Sequence, residues 1–171
     1  MQNKLKNLFT IPLIALLAVV FMYCSKQEAL TAIEEPPVIK PLSISFKQDT
    51  LPVTLSVTTS RKEKIGSLFT TAIEAKYPDS TIRKTNLIIR VTGDSARAYS
   101  NTEILAAYTD SLGVMYSNTI SDTLNKVTIT KMEKKKDGAV QGSFTIRVSN
   151  STKTKTYLLK EGIISSTFPE Y

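Results

Sequence analysis

The chain has 171 residues, a formal net charge of +7, one cysteine, and neither histidine nor tryptophan. This length suits one domain with a sizeable core and is short for two. With one cysteine and no histidine, an internal disulfide, an ordinary zinc site and the commonest general base are all excluded. We therefore predict no catalytic residue, no metal site and no cofactor.

The first 23 residues have the pattern of an export signal. Lys4 and Lys6 give a short positive start, and a largely apolar run occupies residues 8–23. A membrane-spanning helix needs about 20 apolar residues, so this shorter run, which also contains Pro12, favours a signal peptide. Loss of its two lysines would leave the mature chain at +5.

Cys24 directly follows the apolar run and precedes polar Ser25 and Lys26. This arrangement resembles the signal of Bacteroidetes-type lipoproteins, in which the cysteine becomes the first mature residue and carries acyl chains. The resemblance implies lipidation at Cys24, a membrane as partner through the acyl chains, and a place in the cell envelope. The outer membrane is expected, on its periplasmic or its surface face. The three residues before the cysteine are Phe21, Met22 and Tyr23, whereas such signals usually have small residues at the last two of these positions. An uncleaved signal anchor with an incidental cysteine is therefore the alternative.

Residues 24–41 predict a flexible tether behind the lipidated cysteine. Pro36, Pro37 and Pro41 exclude a regular helix and favour extended structure. At roughly 3 Å per residue, this segment would hold a domain about 50 Å from the bilayer.

Residues 42–171 predict a single β-rich domain, because apolar and polar residues mostly alternate. In residues 139–149 the alternation is clearest, with Val140, Phe144, Ile146 and Val148 on one face. Further strands are predicted at 42–47, 53–59, 86–91, 113–117 and 126–130, and one or two at 155–168.

One segment has a helical period. Residues 62–77 carry an apolar stripe at helical spacing, preceded by Ser60 and Glu63 at capping-box spacing and followed by Pro78. The pattern predicts an amphipathic helix over about 62–77. A pair of strands is the alternative, because residues 69–71 are β-prone.

Together these elements predict a mainly β fold, an antiparallel β-sandwich or open barrel, with the helix over one end or face. Asp137 and Gly138 give a strong hairpin signal between two of the strands. From residue 127 onward, "VTITKMEKKKDGAVQGSFTIRV" resembles the carboxyl-terminal hairpin of small Bacteroidetes lipoproteins. That resemblance implies a β-sandwich and no known activity.

A basic run lies at the predicted hairpin tip, with Lys131, Lys134, Lys135 and Lys136. A solvated turn that protects the sheet from edge pairing is the first interpretation. Contact with anionic lipid or polysaccharide is the alternative. Interleaved aromatic residues are missing, so we predict no nucleic-acid partner.

Five of the six aspartates begin an Asp-(Ser/Thr)-(apolar or Thr) triplet, against roughly one expected by composition. The triplet resembles the O-glycosylation signal of exported Bacteroidetes proteins. The resemblance implies Thr50, Ser80, Ser95, Ser111 and Thr123 as acceptors. The alternative is turn chemistry, because aspartate followed by serine or threonine is common in loops. The two interpretations are compatible.

Three functions are compatible with these patterns. The first is an exported, lipid-anchored, non-enzymatic envelope protein that presents a binding or structural β-sandwich, with an envelope protein or polysaccharide as possible partner. The second is an accessory lipoprotein that binds carbohydrate or an envelope polymer. The third is a small enzyme with a Ser–Lys or a carboxylate site, for which no spacing in the sequence selects the residues. The oligomeric state is not predicted.

Overall fold

The computed structural model describes residues 41–79, 81 and 83–171, and these form a mainly β domain. The strands are β1 (Ser43–Gln48), β2 (Leu51–Leu55), β3 (Val57–Ile65), β4 (Leu68–Lys76), β5 (Asn86–Thr92), β6 (Ala98–Ser100), β7 (Ile104–Thr109), β8 (Met115–Asn118), β9 (Lys126–Met132), β10 (Ala139–Asn150) and β11 (Thr156–Thr167). A single 3₁₀ turn, Asn101–Glu103, precedes β7. No helix within these residues is long and apolar enough to span a membrane.

The strands join in one antiparallel sheet with the order β2-β1-β11-β10-β8-β7-β5-β4-β3, and β9 pairs with both β10 and β6. The first and last strands of the domain are neighbours, since Ser43 of β1 pairs with Ser165 of β11. The sheet curls until its far edge returns to β11. There the Thr58 hydroxyl donates to the Ser165 carbonyl at 3.1 Å, and the Ser60 hydroxyl donates to Ser166 at 2.9 Å. The result is a nearly closed, barrel-like arrangement that agrees with the predicted fold class.

The apolar residues of the alternating sequence face the inside of this sheet, and the polar residues face the outside. Along β10, Val140, Phe144, Ile146 and Val148 are buried, and the polar residues between them face outward or lie at the surface. Nearly every strand contributes the side chains of one of its faces to the core. Its largest fully buried side chains are Tyr99, Tyr108, Tyr116, Phe168, Ile44, Leu55, Ile73, Leu87, Ile89, Ile104, Ile129 and Ile146.

One glycine is required by this packing. Gly162 of β11 pairs with Phe144 of β10, and a Cβ at position 162 would lie 2.4 Å from the Phe144 ring. Phe144 covers the bare backbone and lies 5.9 Å from the ring of Phe46, centroid to centroid. Because Gly162 has no side chain, the Phe144 ring has room to pack in the core at this position.

The helix predicted over about 62–77 is wrong, and the alternative of two strands is correct. β3 and β4 form a hairpin that turns at Gly66, whose φ of +61° suits glycine. β4 also pairs with β5, so a strand at this position bonds its backbone on both sides. The predicted stripe is not buried as a unit, because Ile73 is buried while Leu68 and Phe69 are exposed.

Most of the remaining predictions agree with the strands observed. Asp137 and Gly138 do form the hairpin between β9 and β10, with Asp137 at a φ of +57°. Residues 156–167 form one long strand. Strands β6 and β7 were not predicted, and β4 was predicted only as part of the two-strand alternative.

Candidate ligand-binding cleft

A cleft of about 510 Å³ opens at one end of the sheet. It lies between the β1–β2 hairpin, the β4–β5 connection and the turns that follow β7 and β10. Its lining consists of Gln48, Leu51, Pro52, Val53, Thr54, Tyr77, Arg83, Thr85, Tyr108, Asp110, Ser111, Leu112, Lys155 and Tyr157. Aromatic, cationic and polar groups are thus combined in one concave surface, which is typical of a small-molecule site.

Packed tyrosines form the floor of the cleft. The Tyr157 ring lies 4.8 Å from the ring of Tyr116 and 6.2 Å from that of Tyr108, the latter pair edge to face. The Tyr108 hydroxyl donates to Gln48 Oε1 at 2.7 Å. Tyr108 and Tyr116 are buried and Tyr157 is half-buried, so Tyr157 is the member of this floor that a ligand can reach. The packing fixes its ring in place.

Hydrogen bonds to Asp110 hold the tyrosine floor of the cleft in place. Its carboxylate accepts from the Leu112 and Val114 backbone N–H groups, at 2.9 and 3.0 Å, and from the Tyr116 hydroxyl at 3.1 Å. Burial, with hydrogen bonds to Tyr157 and Asp110, raises the pKa of Tyr116 to about 12. Burial also raises the pKa of Tyr108, and the Asp110 charge adds to the effect. Both hydroxyls therefore stay neutral at physiological pH.

Two cations stand at the walls. The Arg83 guanidinium lies 4.9 Å from the centroid of the Tyr77 ring and donates to the Tyr77 hydroxyl at 2.9 Å. Lys155 Nζ lies 4.9 Å from the centroid of the Tyr157 ring, and the contact with that hydroxyl raises the pKa of Lys155. The one carboxylate in the lining, Asp110, already accepts three hydrogen bonds from the protein. The charge left for a ligand is therefore positive.

Catalytic constellations are not assembled within the described residues. Ser111 and Lys155 both line the cleft, but no serine–lysine side-chain hydrogen bond joins them or any other pair in that part of the chain. The scattered acids Glu74, Glu103 and Glu133 lie in three separate surface ion pairs. No group of three or more potential metal-ligating side chains occurs in the ranges described.

The described acceptor candidates are exposed and lie apart from one another. Thr50 is in the β1–β2 turn, Ser95 in the β5–β6 connection, Ser111 in the β7–β8 turn and Thr123 before β9. Ser111 alone among them lines the cleft. Ser80 and Cys24 lie outside the described residues.

Three of the five triplet aspartates form a local turn with their own carboxylate. Asp79, Asp110 and Asp122 each accept a hydrogen bond from the backbone N–H two residues on, at 2.9–3.0 Å. Asp49, at a φ of +54°, accepts instead from the Leu158 N–H, and Asp94 accepts from side chains of other segments. Turn chemistry therefore accounts for three of the triplets, and the four described acceptor residues are exposed whichever partner the aspartate has.

The cleft residues Tyr77, Arg83 and Lys155 were not selected from the sequence. Tyr77 and Arg83 come from the β4–β5 connection and Lys155 from the β10–β11 turn, and no local motif links the two segments. The structure places Tyr108 in the core and Tyr157 at the cleft surface.

Comparison with known proteins gives no match to a family model, to a curated protein or to a solved structure.

Proposed function

We propose that this chain is an exported, lipid-anchored, non-enzymatic protein of the bacterial cell envelope whose β domain binds a ligand in the end cleft. The observation that carries the binding role is the convergence of Tyr157, Arg83 and Lys155 on one cavity of about 510 Å³. A purely structural domain has no need of exposed cations over a fixed aromatic floor.

The anchoring part of the proposal rests on the sequence of residues 1–41. Each buried methylene of an acyl chain contributes about 0.8 kcal/mol to membrane binding, so several chains on Cys24 suffice to hold a soluble domain. We place the protein at the outer membrane, with residues 24–41 as tether and residues 42–171 as the binding domain.

The anchor is tested by the intact mass of the protein extracted from its native membranes. Residues 24–171 plus acyl chains are expected. A Cys24→Ser variant is expected in the soluble fraction. An unmodified full-length mass, or unchanged membrane retention of the variant, would contradict lipidation.

Among ligands, an acidic saccharide or envelope polymer is favoured. Tyrosine rings stack on sugar rings, and Gln48 and Thr54 add polar groups at the wall. Arg83 and Lys155 supply positive charge that suits carboxylate or phosphate substituents. This is the carbohydrate-binding candidate, with its site and its charge preference now specified.

Ligand binding is tested with acidic and neutral oligosaccharides from envelope polymers. The double variant Arg83→Ala/Lys155→Ala removes two charge-assisted contacts, each about 1.5–3 kcal/mol, so affinity should fall more than tenfold. The matched control is Lys135→Ala/Lys136→Ala, which makes the same change in net charge outside the cleft lining. Equal affinities for the two double variants would contradict the cleft as binding site.

We further propose that the exposed triplets are glycosylated at Thr50, Ser80, Ser95, Ser111 and Thr123. The exposure of the four described members supports this. Replacing all five by alanine should increase gel mobility of the protein from its native host. Unchanged mobility would argue that the triplets act only as turns.

A further inference from the structure

The β3–β4 hairpin ends in an apolar tip made by Ile65, Leu68 and Phe69. These side chains are 45%, 58% and 54% exposed, on either side of the turn at Gly66. The core makes no use of them. Soluble monomers seldom leave three large apolar side chains together at a protruding turn unless that surface meets a partner or a membrane.

Lysines surround this apolar tip. Lys62 Nζ and Lys64 Nζ lie 5.5 and 5.7 Å from the centroid of the Phe69 ring. Lys62 also shares the Asp94 carboxylate with Lys134, at 3.1 and 3.0 Å. Asp94 thus joins the tip to the neighbouring β9–β10 turn.

We call residues 134–136, all lysines, the basic turn. In the described part of the chain, Lys64, Lys135 and Lys136 take part in no ion pair, so their charges are available. The tip and the basic turn together combine exposed apolar side chains with unneutralised cations.

Both features lie at the end of the domain away from the cleft. β4 starts at the tip with Leu68 and ends at Lys76, next to the cleft residue Tyr77. β10 likewise starts beside the basic turn and ends at Asn150, close in sequence to the cleft residue Lys155. The chain enters β1 near the same end, since Ser43 pairs with Ser165, two residues before β11 ends.

We propose that this end docks on an anionic bilayer, with Ile65, Leu68 and Phe69 inserted at the headgroup level and Lys64, Lys135 and Lys136 on lipid phosphates. Apolar side chains ringed by lysines match the chemistry of an anionic membrane surface. Each lysine near such a surface strengthens binding roughly fivefold. The inference rests on the anchoring in the proposed function and adds a second membrane contact, which turns the cleft away from the bilayer.

The test uses the full chain reconstituted in vesicles of phosphatidylglycerol and phosphatidylcholine. An environment-sensitive fluorophore is attached through Leu68→Cys or through Leu112→Cys. Both leucines are exposed, at 58% and 78%, so neither substitution disturbs the core. The chain without an added cysteine gives the background from Cys24. The label at 68 should shift to the blue and be quenched by spin-labelled lipid, while the label at 112 stays in water.

A charge control accompanies the label. Lys135→Glu/Lys136→Glu should weaken the signal at position 68. The matched variant Lys76→Glu/Lys84→Glu, with its changes beside the cleft, should not. A label at 68 that stays in water while the protein remains on the vesicles overturns the inference alone. Release of the protein from the vesicles overturns the anchoring and the docking together. Equal insertion at 68 and 112 overturns the orientation and so the docking.

Discussion

Asp110→Ala tests whether the floor of the cleft is held by hydrogen bonds from one carboxylate. Asp110 is 5% exposed and accepts from two backbone N–H groups and one hydroxyl. Alanine removes all three hydrogen bonds without creating a steric clash. The Tyr116 hydroxyl beneath the cleft then loses the partner that Asp110 provides.

The expected loss of stability depends on which of the three hydrogen-bond donors can be hydrated after the substitution. Leu112 and Val114 are exposed residues, so their N–H groups can be rehydrated when the turn loosens. Tyr116 is 1% exposed, and its buried hydroxyl has no such route. An unsatisfied buried group costs about 1–3 kcal/mol, and the lost turn contacts add to this, giving about 2–4 kcal/mol in all.

Urea unfolding followed by tyrosine fluorescence measures this difference. With an m-value of about 1.5 kcal/mol per molar for a domain of this size, the midpoint should fall by about 2 M. The control is Asp110→Asn, which keeps Oδ1 for the two N–H groups and offers an amide to the Tyr116 oxygen. Its cost should be about 1 kcal/mol.

Two outcomes would refute this reasoning. Asp110→Ala within about 0.5 kcal/mol of the parent would mean that the hydrogen bonds contribute nothing net. A cost for Asp110→Asn equal to that for Asp110→Ala would mean that charge, and not hydrogen-bond geometry, sets the stability. A double-mutant cycle with Tyr116→Phe should show a coupling of about 1 kcal/mol between the two side chains.

Three further predictions concern titration and packing. Hydrogen bonds from Lys134, Tyr171 and Lys62 lower the pKa of Asp94, so its stabilising effect is complete above the usual aspartate value of 3.8 and is lost as the pH falls below it. Acid unfolding of Asp94→Asn should therefore depend less on pH in that range, and an unchanged profile would contradict the cluster. The raised pKa of Tyr116 and Tyr108 predicts two tyrosines that resist ionisation up to about pH 12 in an absorbance titration, against the usual 10.0; their stabilising effect is lost as the pH rises from about 10 through these values. Gly162→Ala should cost about 1–3 kcal/mol in urea unfolding, because its Cβ meets Phe144, and Phe144→Leu should recover part of that loss.

The β class was predictable because apolar and polar residues alternate in most of the strands. β5 and β10 appear in the sequence nearly as they appear in the sheet. A helix was wrongly predicted within the hairpin at 57–76, because the exposed residues of its tip fall at helical spacing from the buried Ile73. Gly66-Ser67 in the middle of that run was the contrary signal. A turn there was favoured by glycine, and pairing with β5 outweighed the helical pattern.

The cleft was beyond local sequence reasoning for a different reason. Tyr77 and Arg83 of the β4–β5 connection meet Tyr157 of β11 only because the curled sheet brings these segments to one end. No spacing of residues along the chain predicts that these side chains line one cleft. The triplets, by contrast, were visible because each is a local sequence motif, and in three of them the turn forms within three residues.

The pairing of β1 with β11 has a consequence for how the domain folds. Ile44 and Ile164 are 120 positions apart and face each other in the sheet. Such distant contacts make folding slow, because the chain must close a long loop before the pairing stabilises it. Until residues 156–167 have emerged, neither β1 nor β10 has its partner on that side. The sheet therefore cannot be completed before β11 has been made, and an incompletely folded chain is the form that can be threaded across a membrane.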